Sequence, residues 1–379
     1  MSPSIFIVVN SPLFVFQHLK NFILSCQYPV TILLPNTYSQ LRLPSRARYI
    51  YIPMFRNPSP LDFLSILIVI YLRLLYRPSI FLSFTPKGAL IGACTAFFPG
   101  ISIHYFTGQR WATFHGFKRF LFKLPDLFAL HMCKVTLCDS FSQSSFIYRN
   151  FSVKSHVLGH GSLSGVDPQV FMPLDPSESL LKLLNLGSIS IADYNFIKKS
   201  FDSCIIFGFV GRIHRDKGIF DLLRAFSHLD SNLYRLVLCG PVDLSPEDFA
   251  SFLNLIDYYN IKWLNFVTHP QFVYPCFNCI VLPSYREGFG GVILEAAYCS
   301  VPSIVSDIPG PTDFVVNGET GFIVKPGDPD SLFRVMSSVK LNDLVQLGQT
   351  ARDRAVSAYG SEFVVSNLIE FLRSYLPRF

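Results

Sequence analysis

The chain has 379 residues and a formal net charge of +6, and 50% of its residues are hydrophobic whereas only 15% are charged. A chain of this length can form two domains that each bury a core. No recognised nucleic-acid-binding motif accompanies the positive charge, so we do not expect a nucleic acid as partner. Nine cysteines, without a secretion signal, indicate reduced and buried thiols. Cys276 and Cys279 have metal-ligand spacing but no second pair nearby, so we expect no metal site and no redox role.

The positive charge is concentrated in the first half of the chain. Residues 1–170 hold 15 Lys and Arg against 4 Asp and Glu, a balance of +11, whereas residues 171–379 hold 17 against 22, a balance of −5. Together with the 38 Phe of the chain, this suggests peripheral contact of the N-terminal half with the anionic inner face of the plasma membrane. An anionic acceptor or a solvated basic surface is the alternative explanation.

The most apolar stretch is residues 61–76, and its uncharged core runs only from Phe63 to Leu72. That core is shorter than the ~20 residues that a membrane-spanning helix requires, so we predict a buried or interfacial helix. The N-terminus has neither a basic region nor a small-residue cleavage site, and we therefore expect a cytoplasmic protein.

Short apolar strands alternate with helical stretches along both halves, which predicts an α/β protein with two Rossmann-like parallel-sheet domains. We expect an N-terminal domain at residues 1–172, a linker region at 173–203, a C-terminal domain at 204–360, and a final helix at 361–379. Ligands of such sheets bind beyond the carboxyl ends of the strands, so we expect the site in an interdomain cleft. The predicted strands lie near residues 4–9, 30–34, 48–52, 80–84, 101–106, 134–139 and 156–158, and near 205–210, 235–239, 264–267, 280–282 and 303–306.

His104 lies at the predicted carboxyl end of the fifth strand, which would place it at the cleft across from Glu287. A core histidine satisfied by the backbone is an equally good interpretation of this position. The first interpretation makes His104 a candidate catalytic residue, so that an alanine substitution would lower activity, whereas in the second it would lower the melting temperature.

The segment after the predicted strand at 205–210 suits a diphosphate. Gly211 begins a turn that contains Arg212 and Lys217 and leads into a helix. Arg212 can grip phosphate oxygens bidentately, whereas Lys217 acts as a point charge. Arg215, in the same turn, is interpreted as a solvated neighbour.

The segment after the predicted strand at 280–282 suits a sugar nucleotide. Glu287 lies in a loop before a helix, and Glu295 follows eight residues later on that helix. Each carboxylate can accept hydrogen bonds from a pair of hydroxyls, while phosphate oxygens sit on the backbone amides between them. Gly288, Gly290 and Gly291 allow the backbone to come close to a ligand, and Phe289 between them is a further candidate for donor binding.

These two segments closely resemble the donor-binding motifs of retaining glycosyltransferases of family 4, which have the GT-B fold. The resemblance implies that Glu287 contacts the donor sugar, that Glu295 holds the ribose, and that Arg212 and Lys217 bind the diphosphate. It also implies a catalytic contact of His104 with the donor sugar. In the fold of this family the N-terminal domain, here 1–172, binds the acceptor, the C-terminal domain, here 204–360, binds the nucleotide sugar, and the final helix, here 361–379, can cross back to the first domain. Further matches at residues 83–88, 103–111 and 158–167 resemble the subgroup that builds bacterial capsule, exopolysaccharide and lipopolysaccharide chains. In that subgroup a Thr-Gly-Gln loop follows the fifth strand, which here is Thr107, Gly108 and Gln109, our candidates for the acceptor side.

The chain departs from the family pattern at two places. The segment at residues 10–17 has no glycine, and Asn278 stands where an Asp is common. The resemblance implies a metal-independent enzyme that needs no cofactor. It would transfer a sugar from a nucleotide donor, which we expect to be a UDP-sugar, to a lipid-linked saccharide, with anomeric configuration retained. The alternatives are a sugar-nucleotide epimerase or hydrolase of the same fold, or a non-catalytic sugar-binding subunit, although all four donor side chains are present.

Overall fold

The computed structural model describes residues 3–35, 42–55, 59–201, 203–259 and 261–376. It divides into two compact units. The first unit comprises Met1–Gly165 together with Ser361–Phe379, and the second comprises Val166–Gly360. In the described residues each unit contains one parallel sheet with helices packed on both faces. The α/β fold with two parallel sheets, predicted from the alternating pattern, is confirmed.

The sheet of the first unit has seven strands within the described residues, in the order β3-β2-β1-β4-β5-β6-β7. Its strands are β1 (Ile5–Val8), β2 (Val30–Pro35), β3 (Arg48–Ile52), β4 (Ile80–Phe84), β5 (Ile101–Phe106), β6 (Val135–Cys138) and β7 (His156–Val157). Its helices are α1 (Pro12–Phe14), α2 (Lys20–Ser25), α3 (Leu61–Tyr76), α4 (Thr85–Cys94), α5 (Gly116–Met132), α6 (Phe141–Phe151) and α15 (Ser361–Arg373). Strands β1 and β4 are buried at every residue, as continuous apolar runs in a parallel sheet require.

Alternate residues of the central strands face two different helical layers. Ile5 and Ile7 lie in a cluster that includes Leu368 of α15, whereas Phe6 and Val8 lie in a cluster with Val69 of α3. Helix α15 therefore packs on the first unit, although it comes last in the chain. The glycine-free segment after β1 continues as α1, a π-helical turn (Val15–Leu19) and α2. Among the described residues, no helix has the length and apolarity needed to cross a membrane.

The sheet of the second unit has six strands within the described residues, in the order β10-β9-β8-β11-β12-β13. Its strands are β8 (Ile205–Val210), β9 (Tyr234–Cys239), β10 (Lys262–Trp263), β11 (Cys279–Leu282), β12 (Ser303–Ser306) and β13 (Gly321–Val324). Its helices are α7 (Pro176–Asn185), α8 (Ile191–Lys198), α9 (Ile219–Phe226), α10 (Pro246–Tyr258), α11 (Gly291–Tyr298), α12 (Pro311–Phe314), α13 (Pro329–Ser338) and α14 (Leu341–Ala358). Strands β8 and β11 are direct neighbours, which brings their following loops to the same edge.

Residues 173–203 differ from the linker that we expected. They form α7 and α8, whose Leu180 and Ile197 are buried in one cluster with Ile206 of β8. The second unit begins at Val166, whose N–H donates to the carbonyl oxygen of Tyr359 at 2.9 Å. The prolines and the glycine of this segment favoured a linker, but burial of apolar side chains against the sheet stabilises two helices instead.

Two strands also differ from the prediction. The strand expected near residues 264–267 is wrong, because β10 ends at Trp263 and Asn265 has a positive φ of 56° that interrupts an extended chain. Strand β13 was not predicted, since its first residue is a glycine, which is depleted in strands. A Cβ at Gly321 would lie 2.1 Å from the carbonyl oxygen of Ser303, so the close approach to β12 requires glycine there.

Candidate functional site

The loops after β8 and β11 touch each other at the carboxyl edge of the second sheet. Gly218, which ends the first loop, has a φ of +68°, and a Cβ there would lie 2.0 Å from the carbonyl oxygen of Pro283. Only glycine allows this approach. The side chains of the two loops are thereby brought within hydrogen-bonding distance.

Lys217 and Glu287 form the direct link between the loops. The Nζ atom of Lys217 lies 2.7 Å from Oε1 of Glu287, and the hydroxyl of Ser284 donates to the same oxygen at 2.7 Å. Both charged side chains are largely buried. The structure thus places a cation, predicted to bind phosphate, directly beside the carboxylate predicted to bind a sugar.

Asp216 is a buried carboxylate around which the cations of both loops gather. It pairs with Arg286 and with His214, and the guanidinium of Arg212 lies 3.6 Å from it. Burial acts to raise the pKa of Asp216, but the surrounding cations, Arg286 foremost, hold the pKa below its ordinary value. The backbone carbonyl of Asp216 also accepts a hydrogen bond from the N–H of Tyr285 at 2.9 Å. This one residue therefore ties the two loops through both its side chain and its backbone.

The two arginines of the first loop are held differently. Arg212 pairs with Asp243 and remains one-third exposed at the edge of the sheet. Arg215 is far more exposed and pairs with Asp248 of α10 through two hydrogen bonds. This pairing agrees with the interpretation of Arg215 as a solvated neighbour of the site and makes it a useful matched control for Arg212.

Helix α11 begins beside Glu287 with a glycine-rich turn. Gly290 is left-handed, with a φ of +91°, and no side chain caps the first turn of α11. The first N–H groups of a helix have no intrahelical acceptor, so this turn suits an anion. Gly291 has open space around it, whereas the side chain of Phe289 is buried and its ring lies 5.3 Å from that of Tyr359. Only the backbone of Phe289 can therefore face a donor.

Glu295 lies on α11 with its carboxyl group largely enclosed. The hydroxyl of Tyr274 donates to Oε2 of Glu295. Burial raises the pKa of Glu295 to about 7, and the hydrogen bond from Tyr274 opposes this rise. The carboxyl group that was predicted to hold a ribose therefore changes its charge near neutral pH.

In the first unit, His104 on β5 is a buried residue. Its Nδ1 lies 3.2 Å from both the hydroxyl and the carbonyl oxygen of Ser83 on β4. Burial lowers the pKa of His104 to about 4, so the ring is neutral at physiological pH. This geometry supports the interpretation of His104 as a core histidine.

His104 also borders a small cavity of about 10 Å³ that Thr107, Gly108 and Asp126 help to line. The cavity has room for one water molecule. Gln109, next along the loop, is buried, and its Oε1 has no hydrogen-bond partner among the described residues. Gln109 is thus enclosed within its own unit, whereas Thr107 and Gly108 are partly exposed.

Several side chains at the donor segments were not predicted from the sequence: Asp216, Asp243, Tyr274, Ser284 and Arg286. Asp216 directly precedes Lys217 and Arg286 directly precedes Glu287, so their charge beside the motifs was a usable signal. Tyr274 lies 21 residues before Glu295 in a short 3-10 turn, and nothing in the spacing indicates their contact.

Asn278 explains one departure from the family pattern. Its side-chain oxygen accepts a hydrogen bond from the backbone N–H of Ile206 at 2.7 Å, at the start of β8. An amide oxygen serves this purpose as well as a carboxylate does. The change from Asp to Asn therefore leaves the local structure intact.

Residues 191–355 match the family described as glycosyl transferases group 1. Over 341 residues the chain is 32% identical to the capsular polysaccharide biosynthesis glycosyltransferase CapM of Staphylococcus aureus, covering 86% of this chain and 84% of that protein. Among solved structures, sucrose-phosphate synthase from Thermosynechococcus elongatus is similar with a TM-score of 0.79 and 18% identity, covering 98% of each chain. Anabaena HepE in complex with UDP-glucose is similar with a TM-score of 0.74 and 16% identity, covering 98% of this chain and 99% of that one.

At these identities the two solved structures show the fold alone, which is GT-B, with a parallel sheet in each of two units. The extent and identity of the match to the Staphylococcus aureus protein establish the family. The chain therefore belongs to the group 1 glycosyl transferases, and it is a glycosyltransferase of the GT-B fold.

Proposed function

We propose that this glycosyltransferase moves a sugar from a nucleotide-diphosphate donor, a UDP-sugar, to a lipid-linked glycan during synthesis of a bacterial surface polysaccharide such as a capsule or lipopolysaccharide. The similarity to a capsular polysaccharide glycosyltransferase supports the pathway class. The solved complexes of HepE with UDP and with UDP-glucose support the donor class.

The observation that carries the proposal is the contact of 2.7 Å between Lys217 and Glu287. A diphosphate bound by Lys217 would have its sugar within reach of Glu287, while Arg212 grips the phosphate oxygens and Glu295 accepts the ribose hydroxyls. Asp243 holds Arg212 and Glu287 holds Lys217, so both cations are in place before the donor arrives. The donor phosphates would compete with these two carboxylates for the cations.

Catalysis in this proposal is electrostatic. The negative charge that develops on the departing diphosphate would be stabilised by Arg212, Lys217 and the first amides of α11, without a metal ion. Family 4 membership and retention of the anomeric configuration are parts of the same proposal. A cytoplasmic location at the inner membrane face would bring the enzyme to a lipid-linked acceptor.

The test is transfer from labelled UDP-sugars with and without a lipid-linked saccharide fraction. We expect the label to enter the lipid fraction, the new linkage to keep the donor configuration by NMR, and the activity to survive EDTA. Epimerised or hydrolysed donor formed equally well without acceptor would overturn the proposal in favour of a sugar-nucleotide epimerase or hydrolase. Strict dependence on an added divalent metal would refute the electrostatic account.

Variants separate the roles of the donor residues. Arg212→Ala and Lys217→Ala should each lose about 2–4 kcal/mol of transition-state stabilisation, by analogy with other oxyanion donors. The loss is measured as the fall in kcat/KM. Arg215→Ala, from the same loop, is the matched control and should retain activity. Glu287→Gln should lower kcat, whereas Glu295→Ala should chiefly raise the KM for donor. Wild-type kinetics in both carboxylate variants would contradict the assignment.

A further inference from the structure

Helix α3 exposes an outward face that contains only apolar side chains. Phe63 is 67% exposed and Tyr71 is 62% exposed, and the residues between and after them on this face are leucines. A helix that is apolar all round is normally buried. The exposed side of α3 therefore lacks the polar residues that water would favour.

The basic residue of α3 points the other way. Arg73 is fully buried, and its guanidinium donates five hydrogen bonds, to the hydroxyls of Thr95 and Ser102 and to three carbonyl oxygens of residues 98–100. The Cζ atom of Arg73 also lies 4.5 Å from the centroid of the Phe81 ring. These contacts hold α3 on the sheet with its apolar face turned outward.

Helix α5 has the same character at its outward face. Phe117, Phe120 and Leu121 are exposed, and Lys118 and Arg119 are exposed beside them. The acidic residue of α5, Asp126, is buried and accepts a hydrogen bond from the indole N–H of Trp111 at 2.8 Å. The outward face of α5 thus combines aromatic rings with cations and has no acid.

Both helices belong to one layer. Helix α4 lies between them, and its alanines pack against Ala129 of α5 while Ile91 packs in the cluster that contains Val69 of α3. Phe97, in the turn after α4, is 85% exposed. The side chains that we call the α3–α5 surface are Phe63, Leu67, Tyr71, Leu74, Phe97, Phe117, Phe120, Leu121, Leu124 and Phe128.

We propose that the α3–α5 surface docks on an anionic lipid bilayer, with its apolar side chains among the acyl boundary and its cations at the head groups. Residues 61–134 hold eight Lys and Arg against two Asp. One of these acids, Asp62, pairs with Lys87 at 2.8 Å, and the other is the buried Asp126. Aromatic rings and cations on one helical face are typical of interfacial membrane helices.

The charge of this surface favours lipid over a second copy of the chain. A symmetric contact would offer Lys118 and Arg119 no acidic partner, because Asp62 is paired with Lys87 and Asp126 is buried, whereas anionic head groups complement these cations. Helix α3 lies on the bilayer and does not span it, because its 16 residues reach only about 24 Å and its inner face is packed on protein. The inference extends the proposed function, since a lipid-linked acceptor is reached from such a surface.

The experiment is co-sedimentation of the full chain with vesicles of phosphatidylcholine alone and of phosphatidylcholine with phosphatidylglycerol. The wild type should bind the anionic vesicles more tightly, and added salt should weaken this binding without abolishing it. The apolar variants Tyr71→Ser with Leu67→Ser, and Phe117→Ser with Phe120→Ser, should each bind at least about tenfold more weakly. Lys118→Glu with Arg119→Glu should weaken binding at least about thirtyfold, and on the anionic vesicles only.

The controls are Tyr258→Ser and Val345→Ser, which remove similarly exposed apolar side chains from the second unit and should bind vesicles as the wild type does. Circular dichroism and UDP-glucose affinity check that every variant is folded. Unchanged vesicle binding in the α3 and α5 variants would overturn the inference, as would a wild-type dimer in light scattering that these variants convert to monomer without affecting lipid binding. Vesicle binding without sugar transfer would instead count against the proposed function alone.

Discussion

Glu295 should make donor binding depend on pH near neutrality. Its pKa is raised to about 7 by burial, yet ribose hydroxyls are best accepted by the ionised carboxylate. Binding should therefore tighten as Glu295 ionises. With a pKa of about 7, the affinity for UDP-glucose should rise about tenfold between about pH 6 and about pH 8.

The assay is calorimetric titration with UDP-glucose, whose diphosphate carries no secondary phosphate ionisation in this range. Glu295→Gln should flatten the profile. Tyr274→Phe removes the hydrogen bond that opposes the raised pKa, so its profile should shift to higher pH. His214 lies in the same loop as Arg212 and Lys217. His214→Gln is therefore the control, and it should leave the pH dependence of the affinity unchanged. A wild-type affinity that is constant across this range, or a Glu295→Gln profile that keeps its slope, would refute the reasoning.

The same pKa has a consequence for stability. A carboxyl whose folded pKa is raised costs nothing below its ordinary pKa, and the cost grows as pH rises from there to about 7 and is then constant. The full cost is about 3 kcal/mol at most. Glu295→Gln should therefore melt at a higher temperature than the wild type above neutral pH, and the difference should vanish in mild acid.

Three further substitutions test the buried polar residues Asp216, Arg73 and His104. Asp216→Asn should destabilise the chain by about 1–3 kcal/mol in urea unfolding at neutral pH, because Arg286 loses its buried partner. The difference should be full above the ordinary carboxyl pKa of about 4 and should shrink as pH falls from there through the depressed pKa of Asp216 in the folded protein. Arg73→Met should cost about 3–5 kcal/mol by leaving buried oxygens unpaired, whereas the exposed Arg77→Met should cost little; equal effects would contradict the role of Arg73. His104→Ala should lower the melting temperature and leave UDP-glucose affinity unchanged, and a weakened affinity without a change in melting would restore the sugar-contact interpretation.

The sequence was enough to predict most strands of both sheets, because buried parallel strands appear in a sequence as short, uninterrupted runs of apolar residues. Strands β8 and β11 are examples, and each begins or ends within one residue of its predicted position. The prediction failed where a local conformation decided the outcome, as at Asn265, or where close packing demanded a glycine, as at Gly321. Such constraints arise from neighbouring backbone and leave little trace in composition.

The sequence by itself was enough to select the candidate donor-binding residues. Arg212, Lys217, Glu287 and Glu295 were identified from residue type, spacing and their position after strands, since the carboxyl ends of parallel strands meet at one edge. Only the tertiary structure decided which of these groups touch. Lys217 contacts Glu287, although 70 residues separate them along the chain. It also decided the state of Glu295, because a pKa depends on burial and on a partner, Tyr274, that no motif includes.

The apolar stretch at residues 61–76 shows the same division. The sequence predicted a buried or interfacial helix from its length and hydrophobicity, but periodicity could not say which face was buried, because apolar residues occur all round it. The tertiary structure turned Arg73 inward to a set of carbonyl and hydroxyl oxygens and left the leucines and aromatic rings outside. The hydrogen-bond demand of one buried guanidinium, which oxygens of residues 95–102 satisfy, fixes the orientation of the helix.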